Sequence, residues 1–533
     1  MEIDRKNLEI QFEAIKLLIN NCDFISIDTE LTGLSNNFVN YYDTQEMRYQ
    51  TVKEHSMPFT ITQLGICIFK FNKLDQIFEF YPINFHVKLF SFQSENGNFL
   101  FNADTIEFLN KCNFDFNKTF RDGIQCVRLE EYQKEEKLLI EKKKLQLSNL
   151  NESTELLDFD SIDPLIKQSV DFLENNEAEE FVIDCPSKSY EKYLIFNQLW
   201  KKIGAVNGKW IYPEQMENGK IAFKKYDNLQ DKLTDDIDKD FAKRHEKVSR
   251  YVKMSEIVKY ISDSKKTVIA HNCFLDVMHV VDKFMEPLPE TYEQFKAMLN
   301  RLFPNIFDTK YIFQEEPFKD FRALDLESIY KVTQKEPFPN PDLITKAFSE
   351  EFSFPENGSF HTAHYDAMIT GKIFISLITF LSKSLDIWEN FNAEIPNIAL
   401  KYLNRIKVVR ADFNSLNVNP NASEKKNGRK QIFHMSMPKE WSRENIIFFL
   451  TRILKKPFQD VYEKVSFNWL NSTSLTIRIP FPIDNTFLTE GYRDDEIPVL
   501  ITPFDIYYKV PGPNGPSIDS EGFEMVKRRK RCR

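Results

Sequence analysis

Apolar, β-branched and aromatic residues gather in short runs separated by amphipathic stretches, the alternation expected of an α/β chain. After a short helical start, Cys22–Asp28 (CDFISID) and Phe59–Phe71 (FTITQLGICIFKF) read as buried strands of one sheet, the first ending in acidic residues. From Arg128 to about Leu157 the pattern changes to charged residues with spaced leucines, predicting an exposed amphipathic helix that leaves this first segment. Mixed signals follow, including Tyr193–Ile203 (YLIFNQLWKKI), and end in the charged run Asp231–Arg250. The strand-then-helix pattern resumes at Thr267-Val268-Ile269-Ala270, with Phe274, Val277, Met278 and Val281 at helical spacing. Residues Asn414–Lys430 are rich in Asn, Ser, Lys and Gly without an apolar period, so they read as a linker. Beyond it Gln431–Met437, a helical Glu444–Ile453 and Thr473–Ile479 run in β-α-β order, and Pro511–Pro516 (PGPNGP) breaks the pattern.

This organisation predicts an α/β core in two parts, 1–162 and 251–413, an inserted small domain at 163–250, the linker 414–430, a small α/β sandwich at 431–510 and a flexible basic tail at 511–533. Length agrees, since 533 residues that are 42% hydrophobic and 14% aromatic bury more than one core. A net charge of -10 argues against a chain that coats nucleic acid non-specifically, although it leaves room for a local basic groove. The seven cysteines form no CxxC pair and no zinc-like spacing with the eight histidines, which disfavours a disulfide framework and fits a reducing compartment. No leader-like apolar segment opens the chain and no stretch of about 18 uninterrupted apolar residues follows, so a soluble, unsecreted protein without a membrane partner is expected. Lys527–Arg533 has three readings: a nuclear localisation signal, an RNA-touching tail, or a solvated basic end.

The candidate chemistry lies at element ends. Asp28-Thr29-Glu30 closes an apolar strand, and alternation sends both carboxylates to one side, spaced to share metal ions. Alone this means little: with 80 acidic residues, such triplets arise about a dozen times by chance. Asp276, in His271-Asn272-Cys273-Phe274-Leu275-Asp276, opens a helix just after a short strand and adds a third carboxylate at a sheet edge. His361-Thr362-Ala363-His364-Tyr365-Asp366 opens an apolar helix through Ile369, Ile373 and Leu377, setting His361 at the loop entrance and Asp366 about a turn inside. Singly, Asp276 is an ordinary helix N-terminal charge and His361 an ordinary surface or capping residue.

Asp28, Glu30, Asp276, His361 and Asp366, in this order and with five residues from His361 to Asp366, resemble the DEDD exonuclease superfamily in its histidine subtype. The strings IDTELTGL, ITQLGICIF, VIAHNCFLDVMHVVDKF, PLPETYEQFK, FDTK, PFKD and HTAHYDAMITGKIF resemble the poly(A)-specific ribonuclease family, over most of 20–385 and on to HMSMPKEW at 434–441.

The resemblance implies a ribonuclease H-like mixed-sheet nuclease with an inserted nucleic-acid-binding-type domain and a C-terminal RNA-recognition-type domain. It implies a 3′→5′ exoribonuclease that shortens poly(A) by two-metal-ion hydrolysis and releases 5′-AMP. Asp28, Glu30, Asp276 and Asp366 would hold two Mg²⁺ ions, with Mn²⁺ as a substitute, and His361 would take the proton of the attacking water. His364 competes as the base but falls outside the family pattern and reads as a structural neighbour. Lys310 would neutralise a phosphate at the RNA 3′ end, and Leu34 and Ile106 would pack on bases, unless those two are ordinary core residues. Trp469, in FNWLNSTS, matches the segment that stacks on a 5′ cap, a core tryptophan being the competing reading; Trp441 reads as a cover of its own module's core. By position the insertion corresponds to the family's Arg-x-x-x-His domain, yet Pro186–Tyr193 lacks that signature, which leaves its RNA contribution in doubt. A homodimer in nucleus and cytoplasm is expected. The alternatives are a 3′-end trimmer of small non-coding RNAs and a catalytically inactive RNA- or cap-binding protein, and the catalytic residues alone do not separate RNA from DNA.

Overall fold

The structure is a computed structural model that describes residues 1–34, 40–92, 98–149, 163–174, 180–186, 192, 195–196, 199, 203–339, 341, 343–345, 360–391, 394–411, 413–420, 422, 431–494 and 496–507. Most of Tyr193–Ile203 and the tail from 508 onward lie outside these residues. By contacts the chain divides into two compact units, Met1–Arg128 with Met254–Arg533, and Leu129–Lys253.

The first unit is built on a mixed sheet. Its strands are β1 (Glu2–Ile3), β2 (Phe24–Leu31), β3 (Ile61–Asn72), β4 (Ile77–Leu89), β5 (Ile124–Cys126), β9 (Thr267–Ala270), β10 (Ile306–Asp308), β11 (Leu343–Thr345), β12 (Arg405–Lys407) and β13 (Ser415–Asn417). The order is β1-β4-β3-β2-β9-β10-β12-β13, with β5 and β11 pairing onto β4. β2, β3 and β4 form an antiparallel meander, whereas β2, β9, β10 and β12 run parallel. The residues read as a linker begin with a strand: Ser415–Asn417 has no apolar period, and what makes it a strand is its ladder with β12.

One long helix, Ala363–Ser382, crosses the sheet and sets the position of the site. It is long and apolar enough for a membrane span, but 67% of that window is buried, because Phe374, Leu377 and their neighbours pack with Phe24, Phe69 and Trp388. Two glycines let it come close. A Cβ on Gly65 would fall 2.0 Å from the carbonyl carbon of Ala363, and one on Gly371 would fall 2.2 Å from the Phe69 ring. The Ser26 hydroxyl donates to the Ala367 carbonyl at 2.5 Å, an intrahelical acceptor doubly used at this close approach.

The C-terminal part of this unit carries β14 (Ile432–Ser436), β15 (Ser466–Asn471), β16 (Ser474–Arg478), β17 (Tyr492–Arg493) and β18 (Leu500–Pro503) in the antiparallel order β15-β16-β14-β18-β17. Alternation sends Phe433, Met435, Leu475 and Ile477 into a core with Ile446 and Leu450 of helix Arg443–Leu454. Residues on the other face meet the nuclease, since the Asn468 amide and the Thr476 hydroxyl both donate to Asn40 Oδ1 at 3.2 Å, and Ile432 packs with Tyr42 and Phe504. The ring of His434 stacks on Tyr507.

The second unit holds a three-stranded antiparallel sheet, β6 (Glu180–Ile183), β8 (Ile221–Tyr226) and β7 (Trp210–Gln215) in that spatial order, over a core of Phe172, Leu199, Ile211, Ile221 and Phe223. Helices Leu129–Asn149 and Leu229–Ser249 pair through Lys143 with Asp238 and His245 with Glu136. The predicted amphipathic exit helix therefore belongs to this unit, which starts at Leu129 and not near 163.

Candidate active site

The site lies where the parallel strands end, the place where open α/β sheets leave a crevice. β2 is buried on both faces through Ile27, so Asp28 and Glu30 are its ionisable residues, at the strand's far end. Asp28 pairs with Gly65 and Glu30 with Gln63 across β3. Over Gly65 lies the start of helix Ala363–Ser382, so the absence of a side chain there brings Asp366 and His361 down to the two strand carboxylates. Gln63 also receives the Ala363 amide at 3.4 Å. Single ligand atoms of Glu30, His361 and Asp366 lie within 4.8 Å of one another.

The fourth carboxylate arrives by a different route. Cys273 caps the short helix Phe274–Val280, and Asp276 in its first turn accepts a hydrogen bond from the Thr29 hydroxyl at 2.5 Å. His361 sits in left-handed backbone at φ 68° and is exposed; its amide donates to Asp366 Oδ2 at 3.0 Å, and its ring meets the edge of Phe108 with centroids 4.8 Å apart. His364 points elsewhere, buried near Glu2, with burial lowering its pKa to about 4, so it has neither the exposure nor the direction of a base.

Electrostatics define what this arrangement lacks. Burial raises Asp28 well above the ordinary carboxylate range, and the charges of Asp276, Asp366 and Glu30 raise it further. Glu30 is raised by burial and then by Asp366 and Asp276. Burial lifts Asp276 to about 6 against the opposing hydrogen bond from Thr29, and lifts Asp366 to about 7 against the His361 amide. Among the described residues, no lysine or arginine forms an ion pair with any of these four carboxylates, and none is a leading cause of their shifts. Asp366 Oδ1 is buried without a hydrogen-bond partner among the described residues. Clustered hard oxygen donors, mutual repulsion and an orphaned buried oxygen fit divalent cations, the compensation that would let all four carboxylates ionise.

The predicted substrate residues surround this edge. Leu34 is 51% and Ile106 37% exposed, so neither is a core residue. Ile106 shares helix Ala103–Lys111 with Phe108; the Thr32 carbonyl receives the Asn102 amide at 2.9 Å and so ties that helix to the end of β2. Lys310, half-buried, opens the short helix Thr309–Phe313. Asp308 supports it: its carboxylate accepts the amides of Lys310 and Tyr311 and also those of Asn272, Cys273 and Lys407, fastening the lysine to the turn that precedes Asp276. Trp469 lies on β15 of the C-terminal module, 45% exposed, and Trp441 packs on that module's core. Sequence reasoning gave no role to Thr29, Gln63, Gly65, Phe108 or Asp308. Asp308 carried a readable signal, an acidic residue just before a helix start. The others act through contacts distant in sequence and leave no local mark.

With this geometry, the comparisons with known proteins become decisive. Residues 3–374 match the family described as CAF1 family ribonuclease, and the chain belongs to that family; it is a metal-dependent ribonuclease. It is similar to the poly(A)-specific ribonuclease PARN of Bos taurus, 29% identical over 524 residues, covering 92% of this chain and 79% of that protein. It is also similar to the pre-piRNA 3′-exonuclease trimmer of Bombyx mori, 24% identical over 401 residues and covering 71% of each chain. Among solved structures, S. pombe Pop2p in its Mg²⁺- and Mn²⁺-bound form is a distant likeness, with a TM-score of 0.36, 16% identity, and coverage of 76% of this chain and 97% of that one.

Proposed function

We propose that this ribonuclease removes nucleotides one at a time from the 3′ end of poly(A), releasing 5′-AMP. The observation that carries the reading is the buried cluster of Asp28, Glu30, Asp276 and Asp366, without an ion pair to any basic side chain among the described residues and bordered by the exposed His361. The four carboxylates would hold two Mg²⁺ ions, with Mn²⁺ as a substitute, because oxygen donors suit both. Bound there, such ions neutralise the scissile phosphate and bring the pKa of water towards neutrality. His361 then accepts the water's proton; Phe108 at its ring and Asp366 at its amide restrict where the imidazole points. Lys310 holds a phosphate of the terminal nucleotides, and Leu34 and Ile106 supply apolar surface for the bases.

The similarity over most of the chain to poly(A)-specific ribonucleases supports adenine tails as the substrate. The exposed Trp469 supports a 5′ cap as a second ligand, since a cationic base stacks on an open indole face. A homodimer acting in nucleus and cytoplasm completes the proposal. The similarity to a pre-piRNA trimmer supports a second reading, 3′ trimming of small non-coding RNAs.

The test uses 5′-labelled RNAs ending in oligo(A) or oligo(U), with and without Mg²⁺, beside Asp28→Ala. A magnesium-dependent ladder shortening only from oligo(A), absent in the variant, is expected. Equal trimming of both tails replaces poly(A) preference with the trimming reading, and RNA binding without any shortening overturns both.

A further inference from the structure

Of the four carboxylates, Asp276 alone comes from a segment that the long helix does not position. Alternation along β2 sends Phe24, Ser26, Asp28 and Glu30 to the face covered by helix Ala363–Ser382, where Ser26 bonds Ala367 and Phe24 meets Phe374. Thr29 is directed to the opposite face, and there it meets Asp276, 247 positions away in sequence. The contact is well made: 2.5 Å lies at the short end of the about 2.5–2.7 Å expected when a hydroxyl donates to a carboxylate. Thr29 is almost fully buried, and a β-branched side chain in a strand has few rotamers, so its hydroxyl is fixed in place.

We propose that Thr29 is a positioning residue that presents Asp276 to the metal pair. A carboxylate with one oxygen engaged by a rigid hydroxyl is restrained in rotation and turns its other oxygen outward as a single-point ligand. This restraint matters because the neighbouring carboxylates repel one another when ionised, so that an unrestrained side chain would turn away from the others. The strand thus sets three ligands from one tripeptide, two directly and the third through Thr29. Partners that orient a metal ligand in this way are worth about 10–100-fold in metal affinity or activity. The inference rests on the metal-holding role of the four carboxylates.

The test is Mn²⁺ titration calorimetry on the full chain stripped of metal, comparing the unsubstituted protein with Thr29→Val, Thr29→Ala, Thr29→Ser and Asp28→Asn, with Mg²⁺-dependent RNA hydrolysis measured alongside. Valine keeps the shape without the hydroxyl, and alanine serves if valine does not fold. The expected result is Mn²⁺ binding weakened about 10-fold or more in the hydroxyl-less variants and held within about threefold by serine. Equal Mn²⁺ affinity in all Thr29 variants overturns the positioning role while leaving the metal site intact. A serine variant as weak as valine also overturns it, because the methyl group would then be what matters. An unsubstituted chain that binds Mn²⁺ no better than Asp28→Asn removes the metal reading itself, and this inference with it.

Discussion

Two acidic clusters in this molecule are built on opposite terms. In the second unit, Glu214 on β7 is surrounded by donors: Lys232 at 2.7 Å, Lys224 at 3.0 Å and the Tyr226 hydroxyl. Burial tends to raise its pKa, but these partners outweigh it and hold the carboxyl down at about 2. At the end of β2 burial acts in the same direction with no basic partner among the described residues to oppose it, and Asp366 rises to about 7. The lesson is that acidity alone says little about function. A carboxylate cluster compensated by the protein's own cations serves structure, whereas one without such partners has the character of a site for a cation from outside.

The largest expected effect comes from breaking the uncompensated cluster. Asp28→Asn should lower RNA hydrolysis by at least about 10³-fold, because residues acting as a unit fail together. In metal-free buffer the same variant should unfold at an equal or higher temperature than the unsubstituted chain, as one repelling charge has gone; a lower midpoint would mean that Asp28 is compensated after all. Next is Gly65→Ala, which should cost about 1–3 kcal/mol in denaturant unfolding, since the new methyl overlaps the Ala363 backbone. Its activity loss should exceed its loss of folded protein, because the displaced helix start carries His361 and Asp366. Lys232→Met tests the compensated cluster and should cost about 1–3 kcal/mol by leaving Glu214 short of a partner, with hydrolysis of short RNAs unchanged.

The smallest effect is a slope. His279, on the helix that carries Asp276, is buried and its pKa is lowered to about 3 by burial, against an ordinary value of about 6.5. Between those values the unfolded chain binds a proton that the folded chain refuses, so stability rises with pH across the window and its contribution is fully present above it. His279→Leu should flatten the pH dependence of unfolding by up to about 1.4 kcal/mol per pH unit, while His271, also lowered to about 3, continues to contribute.

What the sequence disclosed was whatever local pattern encodes. β9 and the helix opening at Ala363 carry their own periodicity, and the acidic residues stand at the ends of those elements. Contacts across the fold were not legible. Gly65 is one glycine among several until the long helix is laid upon it, and Thr29 looks like an ordinary strand residue until Asp276 approaches. The attachment of the exit helix to the second unit was hidden for the same reason. The periodicity of Leu129–Asn149 announces an apolar stripe but not its partner, which is Leu229–Ser249.

The weld at Gly65 also bears on how the enzyme is made. Ser26 and Ala367, bonded beside it, are 341 positions apart, with the whole insertion between them. At about 5–20 residues per second, a ribosome needs on the order of tens of seconds between the first and last carboxylate of the proposed site. Throughout that interval the nascent chain carries the strand carboxylates without the helix that is to cover them.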